Sequence, residues 1–311
     1  MRLQVVPVGA FGAEDVCVAT SGPDEGCVFT GTEDGAVFRV AHDGSSVTKV
    51  ADTGGRPLGI EWTADGRLVV CDARRGLLAV DPASGAVEEL TGTVDGRPMT
   101  FCNNAAVAAD GTVYFSDSSA VHPIDRWKAE MLELTGTGRL LRRATDGTVT
   151  VVGSGLDFAN GVALAADESW VVVAETSRRR LTRYRLTGPD AGRRETFADD
   201  LPGYPDNLAR GGDGLVWVAC ASPRDGLVEA LQRGPLWLRR TATRIPDALQ
   251  PAPRRTVRVL AYDGDGRLVQ DVAVDKAAHG DAFHMVTGVR EHDGRLWVGS
   301  LHEPAVAVLT R

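Results

Sequence analysis

Asn103-Asn104-Ala105-Ala106-Val107-Ala108-Ala109-Asp110-Gly111-Thr112-Val113-Tyr114-Phe115-Ser116-Asp117 contains the unit from which the fold is read. A short run of small apolar residues leads into an Asp-Gly turn, and an alternating strand follows. Asp-Gly between apolar runs is a strong hairpin signal. The unit recurs along the chain. Asn103 stands seven residues before Asp110, Asn160 seven before Asp167, and Asp206 seven before Asp213. The second strands align as Gly66–Asp72, Gly111–Asp117, Gly214–Ala219 and Gly294–Gly299. Ser169–Ala174 fits the same place but has lost the turn glycine.

Units fall at about 16–52, 59–92, 103–154, 160–199, 206–274 and 287–311. Six lies within the range of about four to eight blades found in β-propellers. The last unit ends at Arg311 with too little chain for an outer strand, and Leu3–Val8 is expected to supply it. Such closure removes exposed sheet edges. The expectation is an all-β, six-bladed β-propeller, one domain over 1–311. Two segments of helical composition interrupt it, at about 121–137 and 222–255. Both are expected to form a lid over the central opening, because long inserts in compact domains are often functional. The alternative is that they are packing or dimer elements.

Composition narrows the function. The 311 residues carry a formal net charge of −8, which argues against a nucleic-acid partner. The five cysteines are odd in number and scattered without C-x-x-C spacing, so neither a zinc knuckle nor a disulfide framework is indicated. Met1–Ala10 lacks a secretory pattern, and no apolar run reaches the length of a membrane span. A reduced, cytoplasmic setting is expected.

Inner strands of propeller blades converge on the central channel. Asn103, Asn160 and Asp206 stand at the start of those strands in units three, four and five, and Glu14 takes the comparable place in unit one. Units two and six present Leu58 and Val286 there, with Thr287 adjacent. Two carboxylates and two amides are hard oxygen donors suited to Ca²⁺ or another hard divalent cation such as Mg²⁺. Any one of these residues alone would be read as a turn former. The shared register favours convergent ligands.

Four motifs carry a family resemblance: Gly12-Ala13-Glu14-Asp15, Phe101-Cys102-Asn103-Asn104, Phe158-Ala159-Asn160-Gly161-Val162 and Pro205-Asp206-Asn207-Leu208. With the blade repeats, they make nearly the whole chain resemble the calcium-dependent phosphotriesterase superfamily. That group includes paraoxonases, SMP-30/gluconolactonases, diisopropylfluorophosphatase and strictosidine synthase-like proteins. The strictosidine synthase-like branch is the nearest likeness, through Glu175-Thr176, Arg180–Tyr184, Leu201–Asn207 and Glu291–Leu296. The resemblance implies a catalytic Ca²⁺ held by Glu14, Asn103, Asn160 and Asp206, with Asn207 joining as in paraoxonase-like sites. It also implies a second, structural Ca²⁺ at Asp15 and a backbone carbonyl near Ile60. Departures are visible. Leu58 stands where paraoxonases have a histidine base, Thr287 where plant strictosidine synthase has a glutamate, and Asn104 where an aspartate is usual.

The expected activity is Ca²⁺-dependent hydrolysis of lactones or esters of small molecules. Asp206 is the candidate base or nucleophile, and His284 a further catalytic candidate at the channel mouth. His122 is a candidate lid residue or a packing histidine. Glu175 and Asp117, at the ends of second strands, are read as turn caps rather than site partners. Trp127, Trp237 and Met285 are candidate pocket walls. Two alternatives stay open: a strictosidine synthase-like condensing or cyclising enzyme, and a non-catalytic ligand-binding propeller.

Overall fold

The computed structural model describes residues 1–246, 254–274 and 283–310. Part of the second expected insertion, 247–253, and the terminal Arg311 lie outside the described residues. Six four-stranded antiparallel sheets follow one another along the chain. They span Cys17–Asp52, Pro57–Thr91, Cys102–Leu156, Ala159–Ala198, Gly203–Ala273 and Val286–Thr310. The last sheet has only three strands of its own. Arg2–Pro7 pairs antiparallel with Ala305–Thr310 and completes it. The chain is therefore a six-bladed β-propeller whose N-terminal strand closes the ring, with blade boundaries within three residues of those expected. Blade four lacks the turn glycine, and there Glu168 adopts the left-handed conformation (φ 55°) in its place.

Apolar side chains pack one cluster into each seam between consecutive blades. Cys17, Phe29, Ile60 and Leu78 fill the seam of blades one and two. Trp170, Leu181, Leu208 and Leu260 fill that of blades four and five. The closing strand serves its seam too, since Val6 packs with Val16, Trp297 and Val306 between blades six and one. All five cysteines are free thiols, and four are buried. Cys17, Cys71, Cys102 and Cys220 sit in these seams as small hydrophobes.

One irregularity repeats in blades two to six. Each inner strand breaks its ladder over two residues: between Pro57 and Ile60, Cys102 and Ala105, Ala159 and Val162, Pro205 and Leu208, and Val286 and Val289. A bulge bends its strand and re-aims side chains. The first unpaired residues are Leu58, Asn103, Asn160, Asp206 and Thr287, with Glu14 in the same place in blade one. This corrects the expected register of blade six, where the equivalent of Asp206 is Thr287 and not Val286. The cause is the turn. His292 pairs directly with Arg295 across a two-residue Asp293-Gly294 turn, shorter than the turn that joins Val107 to Val113 in blade three. Counting back from the turn therefore overshoots by one.

The second unpaired residues alternate around the ring: Asp15, Gly59, Asn104, Gly161, Asn207, Gly288. Each glycine makes room for the polar residue of the next blade. A Cβ on Gly59 would lie 2.5 Å from Asn104 Cα, one on Gly161 2.6 Å from Asn207 Cα, and one on Gly288 2.6 Å from Asp15 Cα. Those neighbours are backbone atoms and cannot rotate away. Gly161→Ala is accordingly expected to destabilise the fold by roughly 3 kcal/mol in urea denaturation, at the upper end of overpacking costs. Gly226→Ala, where nothing lies within 4 Å, should leave the midpoint nearly unchanged.

Candidate metal-binding active site in the central channel

The bulges of blades two to six, with the segment before Cys17 in blade one, bring six side chains together, and all six line one cavity: Glu14, Leu58, Asn103, Asn160, Asp206 and Thr287. Every one is buried, Asp206 being the most accessible at 9 %. The rest of the wall is mainly apolar, from Phe101, Phe158, Met131, Tyr204, Met285 and Trp127. Phe101 and Phe158 pack ring against ring at 5.8 Å.

Second-strand carboxylates set the loops that lead into the inner strands. Asp117 Oδ1 accepts from the Phe101 N–H, and Glu175 Oε2 from the Asp157 N–H. Both are also paired with arginines, Asp117 with Arg139 and Glu175 with Arg180. The reading of Glu175 and Asp117 as caps agrees with these contacts.

The donor groups are oriented by their neighbours. Asn103 Nδ2 donates to Ser118 Oγ at 2.9 Å, and Ser118 in turn donates to the Ala159 carbonyl at 2.7 Å. With its NH₂ engaged, Asn103 presents Oδ1. Asn160 is hydrogen-bonded to the Asp206 carboxylate. Asn207 Nδ2 donates to Glu14 Oε1 at 3.1 Å, which leaves Glu14 Oε2. Four buried oxygens of this site thus have no hydrogen-bond partner among the described residues: Glu14 Oε2, Asn103 Oδ1, Asn160 Oδ1 and Asn207 Oδ1. Most buried polar atoms in proteins are satisfied, so an orphaned set asks for an explanation. A hard cation supplies one, because these are oxygen donors of the type that Ca²⁺ takes. Among the described residues no group of three or more His, Cys, Asp or Glu is placed to hold a metal ion. The donor set here is instead two carboxylates with amides.

The electrostatics agree. Burial, and next the charge of Asp206, push the Glu14 carboxyl up to about 8, against the opposing pull of Arg56 and the Asn207 hydrogen bond. Burial, with the charge of Asp15, also pushes Asp206 up to about 8, against its bond to Asn160. Two carboxyls that resist ionisation side by side form a region short of positive charge.

Other expected site residues are placed differently. His284 is not among the residues lining the cavity; the neighbouring Met285 is. The His284 Nδ1 contacts Glu303, and its ring lies edge-on to His302 at 5.9 Å. His122 is buried against Glu133, with Nε2 3.4 Å from its carboxylate. Trp127 and Met285 line the cavity as expected, but Trp237 is 68 % exposed. Ser118, Thr176 and Tyr204 were not foreseen. Ser118 follows directly on Asp117, and that position after a second strand is the one local signal that points to it.

Both insertions meet at this mouth. The first contains α1 (Trp127–Glu133), and the second α2 (Gly226–Arg233) and α3 (Leu236–Ala242). Gln232 on α2 donates to the Met131 carbonyl at 2.8 Å, and Arg239 on α3 to the Glu133 carbonyl at 2.7 Å. Met131 and Trp127 project from α1 into the apolar cluster with Leu58, Phe101, Phe158 and Tyr204.

Comparison with known proteins places this geometry. The family model described as SMP-30/Gluconolactonase/LRE-like region matches residues 29–234. The chain belongs to this family. It is 36 % identical to STRICTOSIDINE SYNTHASE-LIKE 10 of Arabidopsis thaliana, over 82 % of this chain and 69 % of that protein. It is 34 % identical to an adipocyte plasma membrane-associated protein of Salmo salar, over 86 % and 69 % of the two chains. Among solved structures, a gluconolactonase from Xanthomonas campestris superposes with a TM-score of 0.71 at 19 % identity, covering 99 % of this chain and 89 % of that one. Regucalcin from Agrobacterium tumefaciens, described as a calcium-binding protein, gives 0.66 at 15 % identity, covering 97 % and 90 %. At such identities the structural likeness speaks for the fold. Among the described residues no helix is long and apolar enough to cross a membrane.

Folding raises the Glu14 and Asp206 pKa values above the ordinary carboxyl range of about 4. Their stability contribution is therefore full below about pH 4 and is lost as pH rises through about 8. In the presence of a chelator, the melting temperature is expected to fall between about pH 4 and about pH 8. The Glu14→Gln/Asp206→Asn double variant should flatten that slope in a differential scanning calorimetry series.

Proposed function

We propose that the chain is a Ca²⁺-dependent hydrolase of lactones or esters of small, largely apolar molecules. Glu14, Asn103, Asn160, Asp206 and Asn207 would hold the cation. The observation that carries the reading is the set of buried oxygens without partners, on Glu14, Asn103 and Asn160 lining an apolar-walled cavity and on Asn207 beside them. The likeness to a gluconolactonase and to a calcium-binding regucalcin supports it in kind.

A bound divalent cation supplies Lewis-acid polarisation of the substrate carbonyl. The chain's own residues do the rest. Leu58, Phe101, Phe158, Met131 and Met285 bind the apolar body of the substrate and exclude bulk water. Asn103 is held by Ser118, and Glu14 by Asn207, so the site is set before substrate arrives. Asp206 takes the proton of the attacking water. It is the most accessible of the six residues that converge on the cavity, and among the described residues no histidine lines the cavity to compete for that role. The α1–α2–α3 cluster acts as the lid that closes the mouth.

The condensing alternative is less well supported. Thr287 stands where the plant synthase has its glutamate, and its Oγ1 donates to the Glu14 carbonyl at 2.7 Å. That hydroxyl serves the frame of the ring.

Turnover of a panel of lactones and aryl esters, with and without a chelator, tests the proposal. Asp206→Asn is expected to lower kcat about 10³-fold, within the usual range for a general base, while the folded state persists in circular dichroism. Activity that survives full chelation, or a folded Asp206→Asn variant with undiminished turnover, would overturn it. An inactive wild-type chain that still binds calcium would favour the non-catalytic reading. Trp127→Ala should raise KM for apolar substrates roughly tenfold with little change in kcat, as expected for lost uniform binding. An equal fall in kcat would show that the lid acts in the transition state instead.

A further inference from the structure

Two layers of the channel have been described, and a third lies one pleat below them. Its positions are Cys17, Glu61, Ala106, Ala163, Ala209 and Arg290. Four are small. The two long ones face each other across blade one: Arg290 Nη2 pairs with Glu61, and Arg290 Nε reaches the Val16 carbonyl at 3.5 Å. Both side chains are only 14 % exposed. Burial disfavours the guanidinium charge, but Glu61 and Asp15 more than restore it.

We infer that Arg290 takes the place of a second divalent cation in this channel, so that the chain holds one such ion and not two. The inference rests on the cation reading of the upper layer and concerns the layer beneath it. The two layers differ in how their donors are used. In the upper layer, oxygens of Glu14, Asn103 and Asn160 lack partners, as does Asn207 Oδ1 beside them. Around Arg290 the protein itself satisfies the polar groups of Asp15 and Asn104. Asp15 Oδ2 accepts from the Ile60 N–H at 3.2 Å and from Asn104 Nδ2 at 3.0 Å, and Asn104 Oδ1 accepts from the Val162 N–H at 2.8 Å. No oxygen of Asp15, Asn104 or Glu61 is among the unpartnered buried atoms of the described residues.

Charge leads to the same conclusion. A divalent ion beside Asp15 would meet a guanidinium already held by Glu61, in a medium that screens weakly. Asn104 contributes no charge to offset it, and its amide is committed at both ends. The second, structural Ca²⁺ expected at Asp15 and the backbone near Ile60 therefore does not fit. At residue 60 it is the N–H, not the carbonyl, that faces the Asp15 carboxylate.

Native mass spectrometry and calorimetric titration with CaCl₂ on the full chain test this. One Ca²⁺ per chain is expected for the wild type. Arg290→Met leaves Glu61 and Asp15 without their counter-charge. It should lower the calcium-free melting temperature by roughly 10 °C, as for a broken buried pair, and raise the stoichiometry to two, with the lost stability recovered at saturating calcium. Arg290→Lys, which keeps the charge, should stay at one and remains informative if Arg290→Met does not fold. Two ions on the wild-type chain, or an Arg290→Met variant that still takes one with unchanged calcium-free stability, overturn the inference and leave the upper site standing. A wild-type chain that binds none overturns both.

Discussion

Six strands that converge on one axis bring twelve backbone edges closer together than ordinary side chains permit. The structure meets this constraint with the alternation of Asp15, Asn104 and Asn207 against Gly59, Gly161 and Gly288. Each polar side chain occupies space left by a glycine in the preceding blade. Asn104 then ties three blades together through Asp15 and the Val162 N–H. Asn207 reaches across to Glu14 in blade one. The seams of apolar residues supply the bulk of burial, but this inner hoop decides how near the blades approach. The positions of the upper-layer donors follow from it, since each sits one residue earlier on the same bulge.

That geometry sorts the channel electrostatically. Carboxylates at the second strands' ends are neutralised by arginines and spent on loop N–H groups, so they stiffen the scaffold. Asp15 and Glu61 are matched by Arg290 in the lower layer. The unpartnered oxygens of Glu14, Asn103 and Asn160 are left to the upper layer, at the wall of the apolar cavity. Such a pairing of polar donors with apolar walls is the usual character of small-molecule sites. A propeller by itself carries no particular chemistry.

Family membership and chemistry are separable here. Relatives named for quite different roles are 34–36 % identical to this chain. Within the ring of six positions, Leu58 presents an apolar group to the cavity and Thr287 turns its hydroxyl to the Glu14 carbonyl.

Much of this was legible in the sequence. Blade number, the closing N-terminal strand and the upper donors Glu14, Asn103, Asn160 and Asp206 follow from a local periodicity, because strand, turn and strand are set within about fifteen residues. The register of blade six was not, since a two-residue turn replaces a longer one and the count from Asp293 shifts by one. His284 fell beside the cavity instead of in it for a similar reason. A side chain's facing depends on the local bend, and Met285, held at φ 51°, points inward in its stead. The pairing of Arg290 with Glu61, the orienting of Asn103 by Ser118 and the glycine gaps join residues from different blades. Sequence alone determined the repeat and which residue types stand at its inner edge. Only closure of the ring decided which of those groups find partners and which are left bare, because hydrogen bonds and charge pairs across an axis exist only once all six blades are in place.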